Sequence, residues 1–191
     1  QWNIFHIFGQ RMQGVKFLNG KYMAKSVKEY IEENEARFLE EWFSLIRIPS
    51  VSADPARKTD MVACAERWKH LLLEAGADEA RVMPSSGNAE KRVGFDAPTV
   101  LIYGHYDVMP AEPLDLWKSD PFEPEVRDGH VFARGADDDK GQAMMQVKGF
   151  ETALTLDLLY CNVKFIFEGE EEIGSPSLYG FCEQNNELLQ A

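Results

Sequence analysis

Apolar residues recur at helical spacing in three parts of the chain. Residues 27–47 are predicted to form a helix, opened by a capping box of Ser26 and Glu29. Residues 60–75 give the clearest pattern, and a third helix is expected from the end of "RGADDDKG" to about residue 155. The three apolar stripes are Ile31, Phe38, Trp42 and Leu45; Met61, Cys64, Ala65, Trp68, Leu71, Leu72 and Ala75; and Ala143, Val147, Phe150 and Leu154.

Two runs of apolar and β-branched residues are typical of strands buried on both faces. They are "TVLIYGHYDV", residues 99–108, and "NVKFIF", residues 162–167. Residues 122–133 are predicted to form a hairpin and "ARVMP" a short strand. Residues 84–98, which lack both patterns, are predicted to be a polar loop.

Helices therefore alternate with strands, and a final helix is expected with Ser175 as its cap and Pro176 at its first position. This alternation predicts an α/β fold of the αβα sandwich type. In such folds, ligand sites lie just beyond the carboxyl ends of the strands. Both buried strands lead to that edge, one into "GHYD" and the other into "GEEE". We find no internal repeat and no clear boundary of a second domain.

Composition and charge narrow the classes of partner. The chain has 191 residues, and 20 basic against 32 acidic residues give a net charge of −12. Such a charge argues against nucleic acid and anionic membranes as partners, but it is compatible with metal cations. No apolar run approaches the roughly 20 residues that span a bilayer. The three cysteines have no CxxC spacing, which predicts free thiols and a cytoplasmic protein.

Three polar clusters could carry chemistry, and each also has a purely structural explanation. "GHYD" could be a strand-end histidine bonded to an aspartate, and the aspartates of "RGADDDKG" could cap a helix. "EGEEE", residues 168–172, could be a solvated acidic loop. Together, however, they crowd carboxylates at one edge of the sheet, where like charges repel unless a cation compensates them.

One histidine with several carboxylates suits a divalent metal of the zinc, manganese or cobalt type. More than two carboxylates suggest two ions bridged by one aspartate, a known hydrolytic device that activates water and polarises a carbonyl. In that arrangement one glutamate of "EGEEE" binds metal, its neighbour is the general base and the remaining one faces solvent. The sequence therefore predicts a metal-dependent hydrolase.

The stretches "YGHYDVMP", "RGADDDKG" and "FEGEEEIGS" resemble, in order and spacing, the M20 metallopeptidases, and most closely their dipeptidase branch. The resemblance runs from about Glu29 to the end of the chain. It implies the zinc-peptidase type of αβα sandwich, two divalent ions and a dipeptide or short-peptide substrate. Zinc is the metal implied, with manganese or cobalt as alternatives.

Residue by residue, the resemblance implies that His105 binds one zinc and that Asp107 orients it. Asp138 is implied to bridge the two metals, Glu171 to be the general base and Glu172 to bind metal. The implied reaction is amide hydrolysis by a water that the metals and Glu171 activate.

Two neighbouring aspartates have weaker implied roles. Asp137 stands where relatives often carry Thr or Ser, so it is not expected to bind metal. Asp139 follows the bridging position, and in the family the peptide bond between these two positions is often cis.

Complete family members carry further metal ligands and a dimerisation domain. The sequence is therefore expected to be the N-terminal part of the catalytic domain, residues 23–191, of a homodimeric parent, and to be inactive alone. Residues 1–22, which precede a plausible start at Met23, are expected to be a non-native or disordered extension.

Other functions stay open at this point. An N-acyl amino acid deacylase of the same family would use the same chemistry, and an inactive truncated product would use none. A magnesium-dependent phosphoryl-transfer enzyme would need a phosphate-binding loop, and the glycines of this chain do not form one.

Overall fold

The structure is a computed structural model that describes residues 25–84, 86–94 and 96–191, with only the backbone described for residues 86–89. The extension predicted for residues 1–22 and the start at Met23 lie outside the described residues. The helices of the described structure are α1 Val27–Ile46, α2 Lys58–Glu74, α3 Lys140–Thr155, α4 Leu178–Gln184 and α5 Asn186–Leu189. Its strands are β1 Glu79–Met83, β2 Ser86–Lys91, β3 Thr99–His105, β4 Glu125–Arg127, β5 His130–Phe132 and β6 Asn162–Glu168.

Four strands form one sheet in the order β1-β2-β6-β3, and β4 and β5 form the separate hairpin predicted from the sequence. Strands β3 and β6 are parallel, whereas β2 is antiparallel to both of its neighbours. The register of the parallel pair sets His105 beside Glu168, the last residue of each strand. The loops that follow these strands therefore leave the sheet side by side.

The main core lies on one face of the sheet, under the long helices. Trp68 of α2 meets Phe167 at a ring distance of 4.7 Å, and Phe150 of α3 meets Phe165 at 5.4 Å. On the opposite face, Lys164 donates to the backbone carbonyl of Gln190, which follows α5. The combination of packed helices and a mixed sheet confirms the predicted α/β fold. Within the described residues, no helix is long and apolar enough to cross a bilayer.

The long helices lie where the sequence predicted them. Helix α1 begins with the expected capping box, in which Glu29 N–H donates to Ser26 Oγ and Ser26 N–H donates to the Glu29 carboxylate. Helix α2 ends before Gly76, whose φ of +102° is a conformation that favours glycine.

Three predictions of secondary structure were wrong. Part of the polar loop predicted over residues 84–98 is strand β2, which pairs with a strand on each side. Strand β3 is not buried on both faces, because β6 is its one neighbour in the described sheet; Val100, Leu101 and Tyr103 are exposed. The helix predicted to start after Ser175 begins instead at Leu178, as α4 with Ser177 as its N-cap, because Ser175 has a φ of +51°.

A buried group of charges joins α1 to α3. The carboxylate of Glu151 accepts hydrogen bonds from Tyr30 Oη at 3.0 Å and from Lys148 Nζ at 2.6 Å, and it also accepts one from Arg37. Burial alone would raise the pKa of Glu151, but the hydrogen bonds from Arg37 and Lys148 outweigh burial and lower it. Glu151 therefore stabilises the fold above its ordinary pKa of 4.5, and this contribution is lost as the pH falls.

We expect Glu151→Gln to lower the free energy of unfolding at pH 7 by about 2 kcal/mol, because the variant loses charge-assisted hydrogen bonds. The difference from wild type should shrink as the pH falls below about 4.5. Urea unfolding at pH 7 and pH 4 measures this difference in the free energy of unfolding. Glu35→Gln is the control, because Glu35 is an exposed residue of α1. A difference that is the same at both pH values would contradict this account.

Candidate metal centre

Three loops meet beyond the carboxyl ends of β3 and β6. The first follows His105, the second follows Glu168 and the third precedes helix α3. They bring together the five side chains that the sequence singled out, namely His105, Asp107, Asp138, Glu171 and Glu172. The described structure thus gathers all three polar clusters at one edge, where the parallel register of β3 and β6 sets the first two side by side.

His105 is the buried centre of this group, with 6% of its surface exposed. Its Nδ1 lies 3.2 Å from Asp107 Oδ1 and 3.1 Å from the Asp107 carbonyl. Its Nε2 faces the other way, 3.0 Å from Asp138 Oδ1 and 3.8 Å from Glu171 Oε2. Burial alone lowers the pKa of His105, but Asp107 and the nearby aspartates raise it to about 9.

Asp107 is completely buried and connects the histidine to the glutamate loop. Its Oδ1 accepts a hydrogen bond from the backbone N–H of Glu171 at 3.2 Å, and its Oδ2 accepts one from Glu172 at 3.0 Å. Burial would raise the pKa of Asp107, but the hydrogen bonds from His105 and from the Glu172 backbone lower it. Asp107 therefore stays ionised and fixes both the imidazole and the loop.

The three consecutive glutamates have three different environments. Glu172 Oε1 accepts from the backbone N–H of Met109 at 3.2 Å, and burial together with the charge of Asp138 raises its pKa. The carboxylate of Glu171 is 44% exposed at the rim of the group. Glu170, expected to face solvent, is only partly exposed, and its Oε2 accepts from Ser177 N–H at 3.1 Å.

The aspartate loop supplies a further carboxylate. The peptide bond between Asp138 and Asp139 is cis, as the resemblance implied. The Asp138 side chain is 72% exposed, and Asp137 is exposed as well. Asp139 instead turns inward, where its Oδ2 accepts from the backbone N–H of His105 at 3.0 Å. This bond, which ties the aspartate loop to the end of β3, was not predicted.

Lys140 is a second residue whose role the sequence did not show. It is completely buried, and its Nζ donates to the carbonyls of Leu45 at 3.0 Å and Ile48 at 2.7 Å. These carbonyls lie at the end of α1, where the helix dipole favours a cation. Burial lowers the pKa of Lys140, whereas the charge of Asp107 acts in the opposite direction. Lys140 thus joins the start of α3 to the end of α1, directly behind the aspartate loop.

The donor atoms of this group fit a divalent cation. One ligand atom each from His105, Glu171 and Glu172 lie within 4.8 Å of one another, and Asp138 Oδ1 is beside the same imidazole nitrogen. Among the described residues, no Lys or Arg side chain forms an ion pair with these three carboxylates. An imidazole with several carboxylates that pair with no Lys or Arg is a donor set for zinc, manganese or cobalt.

Comparison with curated proteins finds dipeptidases. The chain is 45% identical over 167 residues to the Beta-Ala-His dipeptidase of Mus musculus, covering 78% of this chain and 34% of that protein. It is 32% identical over 174 residues to the Cysteinylglycine-S-conjugate dipeptidase of Corynebacterium striatum, covering 88% of this chain and 38% of that protein. The chain thus spans little more than a third of the length of these relatives.

Solved structures and a family model agree with this result. Human carnosine dipeptidase 1 superposes with a TM-score of 0.76 at 27% identity, over 86% of this chain and 38% of that one. An M20 family metallo-carboxypeptidase from Sulfolobus solfataricus superposes with a TM-score of 0.74 at 32% identity, over 81% of this chain and 35% of that one. Residues 101–191 match the model of Peptidase family M20/M25/M40, and they include all five residues of the site. Residues 101–191 of the chain thus belong to the M20 peptidase family.

Proposed function

We propose that the chain contributes to a two-metal site that hydrolyses the amide bond of dipeptides or short peptides. The observation that carries this proposal is the convergence of His105 Nε2 with three carboxylates, those of Asp138, Glu171 and Glu172. We further propose that residues 23–191 form the N-terminal part of the catalytic domain.

In this proposal His105, Asp138 and Glu172 would hold the ions, and Asp138 would be the ligand that both ions share. When bound, divalent ions lower the pKa of water and polarise a substrate carbonyl. Asp107 accepts the Nδ1–H of His105. This leaves the lone pair of Nε2 to bind a metal ion. By accepting the backbone N–H groups of Glu171 and Glu172, the same aspartate keeps both glutamates facing the imidazole.

Glu171 is proposed to be the general base. Its carboxylate is at the rim, near enough to His105 to reach the reacting water and exposed enough to meet substrate. It takes a proton from the water that attacks the scissile carbonyl. It then gives that proton to the leaving amine nitrogen when the carbon–nitrogen bond breaks, so that the base ends each cycle ionised.

Dipeptides are the proposed substrates because the curated relatives reported above are dipeptidases. Dipeptides of the β-Ala-His and Cys-Gly type, with an N-acyl amino acid for comparison, form the panel that tests substrate class. Faster hydrolysis of the N-acyl compound would favour a deacylase instead. A homodimeric parent and a cytoplasmic location stay predictions from the resemblance and the sequence.

Metal binding is the first test of the proposal. We expect the chain to bind zinc, and His105→Ala to weaken zinc affinity by about 100-fold or more, since even partners outside the ligand set cost roughly 10- to 100-fold. Zinc titration calorimetry measures both. His70→Ala, an exposed histidine on α2, is the matched control and should bind like wild type. Equal affinity in the two variants would contradict the assignment of His105.

A further inference from the structure

A buried carboxylate beside the metal centre has no part in the mechanism above. Glu168, the last residue of β6, is 1% exposed. Its Oε1 accepts two hydrogen bonds, from Tyr103 Oη at 2.5 Å and from Ser175 Oγ at 2.9 Å. Burying a carboxylate is costly unless hydrogen bonds compensate it, and two hydroxyl groups do so for Glu168.

The two donors come from different parts of the site. Tyr103 is on β3, two residues before His105, and Ser175 is at the far end of the loop that carries Glu171 and Glu172. Glu168 is at the start of that loop. Its single carboxylate oxygen therefore connects both ends of the glutamate loop to the strand that presents the histidine.

The backbone conformation of Ser175 is unusual for a serine. Ser175 has a φ of +51°, a conformation that glycine adopts more readily than serine. Its N–H donates to the Glu170 carbonyl at 2.8 Å, which closes the turn, and its hydroxyl reaches Glu168. A glycine would satisfy the turn with less strain, but it could not donate to the carboxylate.

We propose that Glu168 is a positioning residue for the metal centre, acting through the two hydroxyl groups of Tyr103 and Ser175. It holds the glutamate loop so that Glu171 and Glu172 stay docked on Asp107 and face His105. The meaning of these contacts for metal binding rests on the proposed function, whereas the two hydrogen bonds to Glu168 are themselves a property of the fold.

Two variants each remove one hydroxyl and little else, namely Tyr103→Phe and Ser175→Ala. Tyr179→Phe and Ser177→Ala are matched controls: Tyr179 is an exposed tyrosine bonded to an exposed glutamate, and Ser177 caps α4 without a side-chain hydrogen bond. All four keep Glu168, whose own replacement could prevent folding.

The first readout is amide hydrogen exchange of the metal-free chain at Glu171 and Glu172, whose N–H groups donate to Asp107. We expect exchange there to accelerate about tenfold in both variants, a local opening that leaves the core amides protected, and to stay within about twofold in the controls. Unchanged exchange at these amides in both variants would overturn the proposal. So would an equal acceleration at every amide, which would show only a loss of global stability.

The second readout is zinc affinity, which we expect to fall about tenfold in both variants and not in the controls, as is typical of groups that orient metal ligands. Affinity equal to wild type in both variants would also overturn the positioning role. If wild type itself bound no zinc, the proposed function would fail, while amide exchange would still decide whether Glu168 holds the loop.

Discussion

In the complete catalytic domain loaded with zinc, replacing Glu171 by Gln is expected to lower the rate of dipeptide hydrolysis about 1000-fold, within the range usual for a lost general base. The amide has nearly the shape of the carboxylate but cannot take a proton from water. The backbone N–H of Glu171 still donates to Asp107, so the loop should keep its place. Initial rates and zinc content, measured on the same samples, separate the loss of the base from a loss of metal.

Glu170→Gln is the matched control, because it makes the same chemical change one residue away. The Glu170 carboxylate accepts the backbone N–H of Ser177, and the oxygen of a glutamine side chain can accept it too. We expect its rate to stay within about threefold of wild type, since surface changes of this kind have small effects. Equal losses in both variants would contradict the role of Glu171. The 191-residue chain by itself, which is expected to be inactive, should bind zinc without turnover in wild type and variant alike.

The helices were predictable because their signals are local. Helices α1, α2 and α3 are long, amphipathic and bounded by residues such as Ser26 and Gly76, so each pattern identifies its helix without reference to the rest of the chain. The meeting of "GHYD" and "GEEE" was also predictable, because the carboxyl ends of parallel strands meet at one edge of a sheet. The parallel strands do not explain why the aspartate loop, which lies between the hairpin and α3, joins them.

Strand β2 shows what local patterns miss. Its sequence, "SGNAEK", has neither apolar alternation nor β-branched residues, yet it lies between two partners. Its place depends on backbone hydrogen bonds to strands β1 and β6, and such bonds do not depend on side-chain polarity. Strand β3 shows the reverse case, in which an apolar run predicts a buried strand but Tyr103 is exposed. The local pattern does not contain the order of strands in the sheet, and that order places β3 at an edge.

Within the site, residue types predicted which groups meet but not which supporting contacts hold them. The bond between Asp139 and the His105 backbone, the burial of Lys140 and the two donors to Glu168 all depend on the paths of loops. Each of these residues stands beside a predicted ligand or base, or within a few positions of one. Proximity in sequence marked them as part of the motif, but only the fold shows what they do.

Gly141→Ala is the second substitution for which we expect a large effect. Gly141 is the glycine of the Lys-Gly pair that ends "RGADDDKG". A Cβ on Gly141, the second residue of α3, would lie 2.0 Å from the backbone carbonyl oxygen of Ala136 and 3.1 Å from the Trp42 ring. Because the nearest atom belongs to the backbone, no side-chain rotation can relieve the contact. The loop from Ala136 to Asp139 would have to move, and it carries the proposed bridging aspartate.

We expect Gly141→Ala to lower the free energy of unfolding by about 3 kcal/mol, the upper end of the usual cost of overpacking. Zinc affinity should fall as well, because Asp138 moves with the loop. Gly149→Ala in the same helix is the control, since a Cβ there meets no heavy atom within 4 Å apart from the local backbone of its own helix. That variant should be more stable than wild type by about 0.5–1 kcal/mol, because alanine favours a helix over glycine. Urea unfolding of the pair tests the claim directly: the same substitution in one helix must change stability in opposite directions, and a gain at both positions would show that Gly141 is not needed for the path of the aspartate loop.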